Sequence, residues 1–296
     1  MPDSSVSDIS IPLHDRVHYA GLSGAIALFE RLSLDRGTAL AAALARPLVP
    51  VVRSRALANL RLAMPDLAER ERRRIVTDMA DHLTRMSVEY LHLAELRDDP
   101  DRIALHGVEH LDAARAAGRG AILVTGHFGN WEAIRIACAR LDWTPAILYR
   151  RFNNPLVDGE ARRRMGIFDA PLLHKGRRGT LGFLRHVRGG GAALILADQR
   201  FGGAPPIPFF GQPARTALAP AEIAAAHGVA LLPVRAVRRG RSSVFDVTID
   251  PPLIPGKGDG AAFETMAEFN RRLESWIREV PEQYFWLHNR WRLNTR

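Results

Sequence analysis

The fold of this chain is decided by residues 121–141, AILVTGHFGNWEAIRIACARL. The apolar run Ala121–Val124 has the composition of a buried strand, and it stops at a Thr-Gly pair that delivers His127 into a short loop. Asn130 is placed to cap a helix that begins at Trp131. The stretch therefore predicts a strand, a tight glycine-containing loop and a helix N-terminus.

This loop brings an imidazole close to a carboxylate. If His127 and Glu132 lay on one helix, their spacing of five would turn them about 140° apart. Because His127 precedes the helix, the two side chains can converge. The pattern fits a histidine general base oriented by a carboxylate, and the alternative is a structural histidine at the end of a strand.

The composition is that of a globular protein, with 47% hydrophobic and 25% charged residues among 296. This length suits one large α/β domain, or one domain with a helical appendage. The net charge of +9 rests on arginine, since Lys175 and Lys257 are the only lysines. Such charge indicates either a solvated arginine surface or attraction to an anionic partner such as acidic lipid or an acidic protein.

Several classes of function are excluded or disfavoured by what the sequence lacks. Cys138 is the single cysteine, so an intrachain disulfide and a cysteine metal cluster are excluded. The N-terminus has no signal-peptide pattern, and no apolar run reaches the roughly 18 residues of a membrane span. GxxxxGK[ST], GxSxG and HExxH motifs are missing as well. Only the net charge favours nucleic acid, so we expect no nucleic-acid partner.

Hydrophobic periodicity divides the chain into two parts. Residues 1–96 carry helical spacing, and the segment Glu69–Leu96 predicts a long packed helix. The earlier amphipathic helices fit either packing on the core or lying on a membrane. Residues 97–296 alternate apolar runs with helical stretches, which predicts an α/β core with a sheet flanked by helices. Apolar runs occur at Ile103–Leu105, Ala121–Thr125, Ala146–Tyr149, Ala192–Ala197, Ala230–Val237 and Val244–Ile249.

Further polar side chains stand where predicted strands end. Tyr149 and Arg150 close one strand, and Asp198 follows the run AALILA of another. Residues at strand ends gather along one end of an α/β sheet, where such folds place their sites. A base, an arginine and two carboxylates there predict an acyl-transfer or hydrolytic site.

The ordered set of motifs resembles the bacterial lipid A biosynthesis acyltransferases, from about Arg53 to Arg292. The resemblance implies a membrane-associated enzyme on the cytoplasmic face of the inner membrane. It would move a fatty acyl chain from acyl carrier protein to a hydroxyl of a lipid A precursor, without metal or organic cofactor. It also implies a glycerolipid-acyltransferase-like fold with a mixed sheet. The motifs are GRGAILVTGHFGNWE, YRRFNNP, ADQRFGG, IPFFGQPA, HGVALLPV and PEQYFWLHNRW.

The resemblance also implies roles for single residues. His127 would be the base that deprotonates the acceptor hydroxyl, and Glu132 would hold its tautomer and stabilise the imidazolium. Arg150 would contact a lipid phosphate or the developing oxyanion. Asp198 would be a second partner of His127, a partner of Arg150, or only a cap. Asn130 would act first as a helix cap and second as a substrate contact.

Two alternatives stay open, and one feature departs from the family. The alternatives are a glycolipid acyltransferase of the phosphatidylinositol mannoside type, which commonly has Asp at the position of Glu132 and prefers acyl-CoA, and an inactive membrane-surface protein. Most family members begin with a transmembrane helix, whereas this chain predicts peripheral attachment through amphipathic helices and arginines. Four arginines are expected at the surface, with glycolipid phosphates as the alternative partners: Arg215, Arg235, Arg238 and Arg239.

Overall fold

The structure is a computed structural model that describes residues 12–292. Its helices are α1 Leu13–Glu30, α2 Leu34–Ala45, α3 Val49–Ala63, α4 Glu69–Glu89, α5 Leu93–Asp98, α6 Val108–Ala116, α7 Trp131–Ala139, α8 Pro155–Met165, α9 Arg177–Arg188, α10 Ala219–His227 and α11 Ala261–Glu279. Its strands are β1 Ile103–His106, β2 Ala121–Thr125, β3 Ala146–Tyr149, β4 Leu172–His174, β5 Ala192–Leu196, β6 Pro206–Phe209, β7 Gln212–Arg215, β8 Ala230–Arg238 and β9 Phe245–Ile249. The first third is helical and the rest alternates, as predicted.

Within the described chain, seven strands form one mixed sheet in the order β1-β9-β8-β2-β5-β3-β4. Strand β2 pairs in parallel with β5 and β8, and β3 pairs in parallel with β5 and β4. Strand β9 runs antiparallel to β8 and parallel to β1. The predicted fold class, a mixed sheet flanked by helices with an N-terminal helical region, is confirmed. The loops after β2, β3, β4, β5 and β8 all emerge at one end of the sheet, which we call the carboxyl end.

The central strand β2 is buried along its whole length because helices cover both faces of the sheet. Ile122 and Val124 belong to a hydrophobic cluster with residues of α3, α4, α10 and α11. Ala121 and Leu123 alternate with them and belong to a second cluster, with residues of α5, α6 and α7. A strand buried on both faces has to be apolar at every position, which explains its continuous run. The loop after β2 therefore starts from the most rigid part of the core.

The long packed helix predicted for Glu69–Leu96 is present as α4 and α5, with a break at residues 90–92. Ile75 and Met79 on α4 are buried in the cluster below β2, so this helix faces the core. Helix α1 differs, because none of its residues is buried. Across residues 12–292, no helix combines the length and the apolar character that crossing a bilayer demands. The boundary at residues 96 and 97 stays a prediction.

Candidate active site

The loop after β2 has a backbone that only glycine permits at one position. Gly129 adopts φ +61°, and a Cβ there would lie 1.6 Å from the carbonyl oxygen of Ala236 on β8. The loop can therefore pass close to β8 and enter α7 at once. Asn130 caps α7 by accepting a hydrogen bond from the Glu132 backbone N–H at 3.0 Å, which confirms the predicted cap.

His127 is paired with Asp198. The His127 Nδ1 atom lies 2.7 Å from Asp198 Oδ1, and the aspartate is buried. The register of the sheet explains this pairing: Thr125 at the end of β2 is opposite Leu196 at the end of β5, and the Ala197 N–H donates to the Thr125 carbonyl. Asp198 therefore follows β5 at the same level at which His127 follows β2.

The other ring nitrogen of His127 faces the outside of the pair. The Nε2 atom lies 3.1 Å from the side-chain nitrogen of Gln199, and the ring centroids of Trp131 and Phe285 lie 5.5 and 6.1 Å from that of the imidazole. With Asp198 accepting from Nδ1–H, Nε2 carries the lone pair and accepts from the Gln199 amide. This is the tautomer that a general base needs, because its basic nitrogen is directed away from the carboxylate.

Electrostatics around the pair favour a charged carboxylate. Burial by itself would lower the pKa of His127, but the neighbouring Asp198 outweighs burial, and the pKa is raised from its usual value. Burial would raise the pKa of Asp198, while His127 and, more weakly, the Arg290 charge hold it below its usual value. Burial and the Asp198 charge raise the pKa of Tyr284, so its hydroxyl stays neutral beside the carboxylate. An imidazolium formed at His127 would therefore be stabilised.

The prediction that Glu132 orients His127 is wrong. Glu132 lies in the first turn of α7 and is buried, and its carboxylate accepts from Arg135 Nη1 at 2.8 Å. The Tyr90 hydroxyl lies 3.4 Å from its other oxygen. The reason is geometric: the helix turns residue 132 towards residue 135, three positions on. Asp198 makes the contact to the imidazole that the sequence assigned to Glu132.

The two remaining predicted site residues differ in exposure. Arg150 is exposed and follows β3 at the carboxyl end of the sheet. In the strand order β8-β2-β5-β3, it lies three strand positions from β8. Asn130 is buried, and both ends of its side chain are used within the protein, since its amide also donates to Glu89 at 2.9 Å. Arg150 is thus accessible to an anionic ligand, whereas Asn130 is buried with its amide nitrogen on Glu89 and its amide oxygen on the Glu132 N–H.

A buried ion pair lies behind the loop, and sequence inspection missed it. Glu89 at the end of α4 accepts from Arg238 at the end of β8, from Ser243 Oγ at 2.7 Å and from Asn130. Arg238 was expected at the surface, but it is 3% exposed. The partners are 149 residues apart in the chain. No local spacing could reveal a pair of this kind.

His82 connects this ion pair to the loop backbone. Arg238 Nε donates to His82 Nδ1 at 3.2 Å, and His82 Nε2 lies 3.3 Å from the Gly129 carbonyl oxygen, to which it donates. Burial, and then the Arg238 charge, lower the pKa of His82 to about 3, so the ring is neutral. Helix α4 thus holds the loop through Glu89 and His82.

The segment at residues 281–291 holds the same loop from the other side. The Gly129 N–H donates to the Gln283 carbonyl at 2.9 Å, and the Phe285 N–H donates to the His127 carbonyl at 3.0 Å. Phe128 and Tyr284 form an antiparallel bridge between these two contacts. These contacts fix the backbone that carries His127.

Comparison with protein families identifies the chain. The model of the bacterial lipid A biosynthesis acyltransferases matches residues 16–293, which include every residue of the site described above. The chain belongs to this family. It is therefore an acyltransferase of the lipid A biosynthesis type by descent, as the motifs predicted.

Individual relatives of this acyltransferase are distant from it. The lipid A biosynthesis acyltransferase of Haemophilus influenzae is 24% identical over 242 residues, which are 79% of this chain and 74% of the relative. The lipid A biosynthesis palmitoleoyltransferase of Escherichia coli is 28% identical over 261 residues, or 84% and 82% of the two chains. The phosphatidylinositol mannoside acyltransferase of Mycobacterium tuberculosis is 32% identical over 204 residues, or 64% and 60%. The names of all three relatives describe acyl transfer, but they differ in the lipid that is named.

Proposed function

We propose that this lipid A acyltransferase family member transfers a fatty acyl chain from acyl carrier protein to a hydroxyl of a lipid A precursor. His127 acts as the general base, and Asp198 orients it. The observation that carries the proposal is the 2.7 Å hydrogen bond between these two residues at the carboxyl end of the sheet. The proposal assigns Glu132 a supporting role, in which it fixes Arg135 and the first turn of α7.

The reaction needs one proton relay. His127 Nε2 removes the proton of the acceptor hydroxyl while the oxygen attacks the carbonyl carbon of the acyl thioester. A carbon–oxygen bond forms, the carbon–sulfur bond breaks, and the imidazolium returns the proton to the leaving thiolate. Asp198 stays ionised and stabilises the imidazolium. Base assistance of this kind is worth roughly 10²–10⁴-fold in rate.

Arg150 supplies the contact to an anion in this proposal. It is exposed beside the strand that neighbours β5, and a guanidinium binds phosphate oxygens in a bidentate manner. It would hold a phosphate of the acceptor, or the oxyanion that develops on the thioester carbonyl. The two roles separate in kinetics, because loss of a phosphate contact raises KM and loss of an oxyanion contact lowers kcat.

Because the acceptor and the product are both lipids, the reaction is favoured at a membrane. Exposing a twelve-carbon chain to water would cost about 8 kcal/mol at ~0.8 kcal/mol per methylene. The enzyme would therefore act as a peripheral protein on the cytoplasmic face of the inner membrane. The exposed apolar side chains at the start of α1, Leu13 and Val17, support this placement.

A second candidate is acylation of a phosphatidylinositol mannoside. The relative of that type has the higher identity, 32% against 24% and 28% for the two lipid A enzymes compared, although over a shorter stretch. Glu132 speaks for the lipid A type, because the other type commonly carries Asp at this position. The donor and the acceptor can be tested separately.

The experiment offers the purified protein two donors, acyl carrier protein loaded with chains of different length and acyl-CoA. Each donor is combined with a tetra-acylated lipid A precursor or with a phosphatidylinositol mannoside. We expect mass spectrometry to find one added acyl group. His127→Ala should abolish transfer, whereas His227→Ala, which changes an exposed histidine at the end of α10, should keep it. Transfer only to a phosphatidylinositol mannoside, or only from acyl-CoA, would favour the second candidate. Absence of transfer with every donor and acceptor would reject both.

A further inference from the structure

Large apolar side chains are exposed at the carboxyl end of the sheet. Phe152, three residues beyond β3, is 52% exposed, and Phe201, which follows β5, is 50% exposed. Leu181, in the second turn of α9 just after β4, is 53% exposed. Exposed side chains of this size rarely gather in one region unless they contact a partner.

Cations are interspersed with these apolar groups. The register of β3 and β4 pairs Tyr149 with His174, so Arg150 and Lys175 leave the sheet side by side. The Lys175 ammonium lies 5.8 Å from the Phe201 ring centroid. Five exposed cations come from the β3 and β4 ends and the start of α9: Arg150, Arg151, Lys175, Arg177 and Arg178.

His174 lies among positively charged side chains on this surface. Its ring accepts from Arg151 Nε at 3.3 Å, and its pKa is lowered by partial burial and then by Arg151 and Arg162. Asp158 opposes this shift from nearby, but it is buried, and its carboxylate accepts from the Phe152 N–H. The surface itself therefore presents cations and aromatic rings.

Helix α1 extends the same face. Asn154 donates to the Asp15 carbonyl at the start of α1, and Arg164 donates to Glu30 at its end. Asn154 and Arg164 lie at the start and end of α8, so the two helices run parallel. The first turns of α1, with Leu13 75% and Val17 64% exposed, therefore lie at the level of Phe152.

We propose that the carboxyl-end face is the surface that contacts an anionic lipid bilayer. We define this face by ten residues: Leu13, Val17, Arg150, Arg151, Phe152, Lys175, Arg177, Arg178, Leu181 and Phe201. Cations pair with acidic headgroups, and the apolar side chains enter the boundary between headgroups and acyl chains.

A bilayer fits this face better than a protein partner does. The apolar groups come from α1, the loop after β3, the loop after β5 and α9, so they are spread rather than joined in one groove. A fluid lipid surface receives separated side chains, whereas a folded partner needs a matching cavity for each. The mixture of arginine, lysine and phenylalanine is also that of peripheral membrane surfaces.

With this face on the bilayer, the active site would be oriented towards its lipid substrate. This step rests on the proposed function. His127 opens at the same end, on β2, and β4 is three strands away, about 15 Å at ~4.8 Å per strand. A bilayer resting on the carboxyl-end face would therefore present a glycolipid hydroxyl beside His127 Nε2. The acceptor would not have to leave the membrane.

The test is co-sedimentation of the purified protein with vesicles of phosphatidylcholine alone, or of phosphatidylcholine mixed with an equal part of phosphatidylglycerol. We expect binding to the mixed vesicles that weakens with salt. The double variants Phe152→Ser/Phe201→Ser and Lys175→Glu/Arg178→Glu should each bind at least about 10-fold more weakly.

Matched controls come from the opposite end of the sheet. Ile254→Ser removes an exposed apolar side chain that is 85% exposed and lies next to the bridge between Leu231 and Leu253. Arg188→Glu reverses an exposed charge at the far end of α9. Both should bind vesicles like the wild type, and all variants should melt near the wild-type temperature.

Three results would overturn the proposal. Wild-type protein that stays in the supernatant with the mixed vesicles is one, and controls that lose as much binding as the face variants are another. The third is a charge variant that binds vesicles normally but loses affinity for acyl carrier protein, because the face would then dock an acidic protein. The vesicle assay contains no acyl donor. Protein that binds vesicles and transfers nothing would therefore refute only the proposed reaction.

Discussion

The carboxylate that serves His127 can be identified by comparing Asp198→Asn with Glu132→Gln. Both substitutions keep the shape of the side chain and remove its charge. Asp198 accepts from the imidazole at 2.7 Å, whereas Glu132 accepts from the fully buried Arg135 at 2.8 Å. One change should therefore alter the chemistry, and the other should alter the stability.

For Asp198→Asn we expect kcat to fall by about 10²–10⁴-fold, the range that general-base assistance supplies. The pH profile gives the sign. Asp198 raises the pKa of His127, and only the neutral imidazole accepts a proton, so wild-type activity rises as pH passes upward through that pKa. Without the carboxylate this rise should move to lower pH, while the maximum rate is lower.

For Glu132→Gln we expect a loss of stability. Removing one partner of a buried ion pair leaves the other charge uncompensated, which costs about 3–5 kcal/mol. At about 2–4 °C per kcal/mol for a chain of this size class, the melting temperature should fall by roughly 10 °C. The rise of activity with pH should stay where it is in the wild type.

The assay is acyl transfer followed by mass spectrometry across pH, combined with thermal melts of each variant. Asp169→Asn, which changes an exposed carboxylate, is the control and should alter neither measurement. If Glu132→Gln moved the pH profile and Asp198→Asn left it unchanged, the assignment of Asp198 as the partner in catalysis would be refuted.

Three further predictions test how the loop is held. Gly129→Ala should lower kcat and the melting temperature together, because its Cβ would lie 1.6 Å from the Ala236 oxygen at a φ that disfavours alanine; unchanged kinetics would contradict the close approach. Glu89→Gln should lower the free energy of unfolding, measured with denaturant, by about 3–5 kcal/mol, because it leaves the charge of the buried Arg238 unpaired. A loss below ~1 kcal/mol, the size of a typical substitution, would exclude a strong ion pair. His82 is held neutral in the folded protein, with a pKa of about 3. The unfolded chain binds a proton at this residue below pH ~6.5 and the folded chain does not, so the wild-type free energy of unfolding should fall by about 1.4 kcal/mol for each pH unit below that value. His82→Gln should flatten that slope, and parallel pH curves for the two proteins would show that His82 does not contribute.

Sequence inspection recovered the parts of the fold that have strong local periodicity. Strand β2, its loop and α7 were predicted because an uninterrupted apolar run, a glycine loop and an asparagine cap are all local signals. Strand β4 was missed because three residues are too few to show a period. The hairpin of β6 and β7 was missed because prolines at 206, 208 and 213 are unfavourable in strands and are tolerated only where the ladder does not need a backbone N–H.

The site was predicted in part, and the failure has a physical cause. His127 and Asp198 were both singled out, but Glu132 was preferred as the partner because it is near in sequence. The register of β5 on β2 decides the pairing instead, and register is a property of the sheet that spacing along the chain does not reveal. Arg135 was the local clue, since a buried carboxylate three residues before an arginine on one helix pairs with it.

The loop that carries His127 is fixed by both ends of the chain, and this has a consequence for the helical region. Residues 1–96 supply Glu89 and His82, which pair with Arg238 and bond the Gly129 carbonyl. A chain that begins at residue 97 would leave the guanidinium of Arg238 buried without its carboxylate, and would uncover the core face of the sheet that α4 covers. We therefore expect this truncated chain to be insoluble or to melt without cooperativity, as followed by circular dichroism. A soluble fragment with a cooperative melt and intact transfer would show that the region is a separate unit, and that the polar network behind the loop does not position the base.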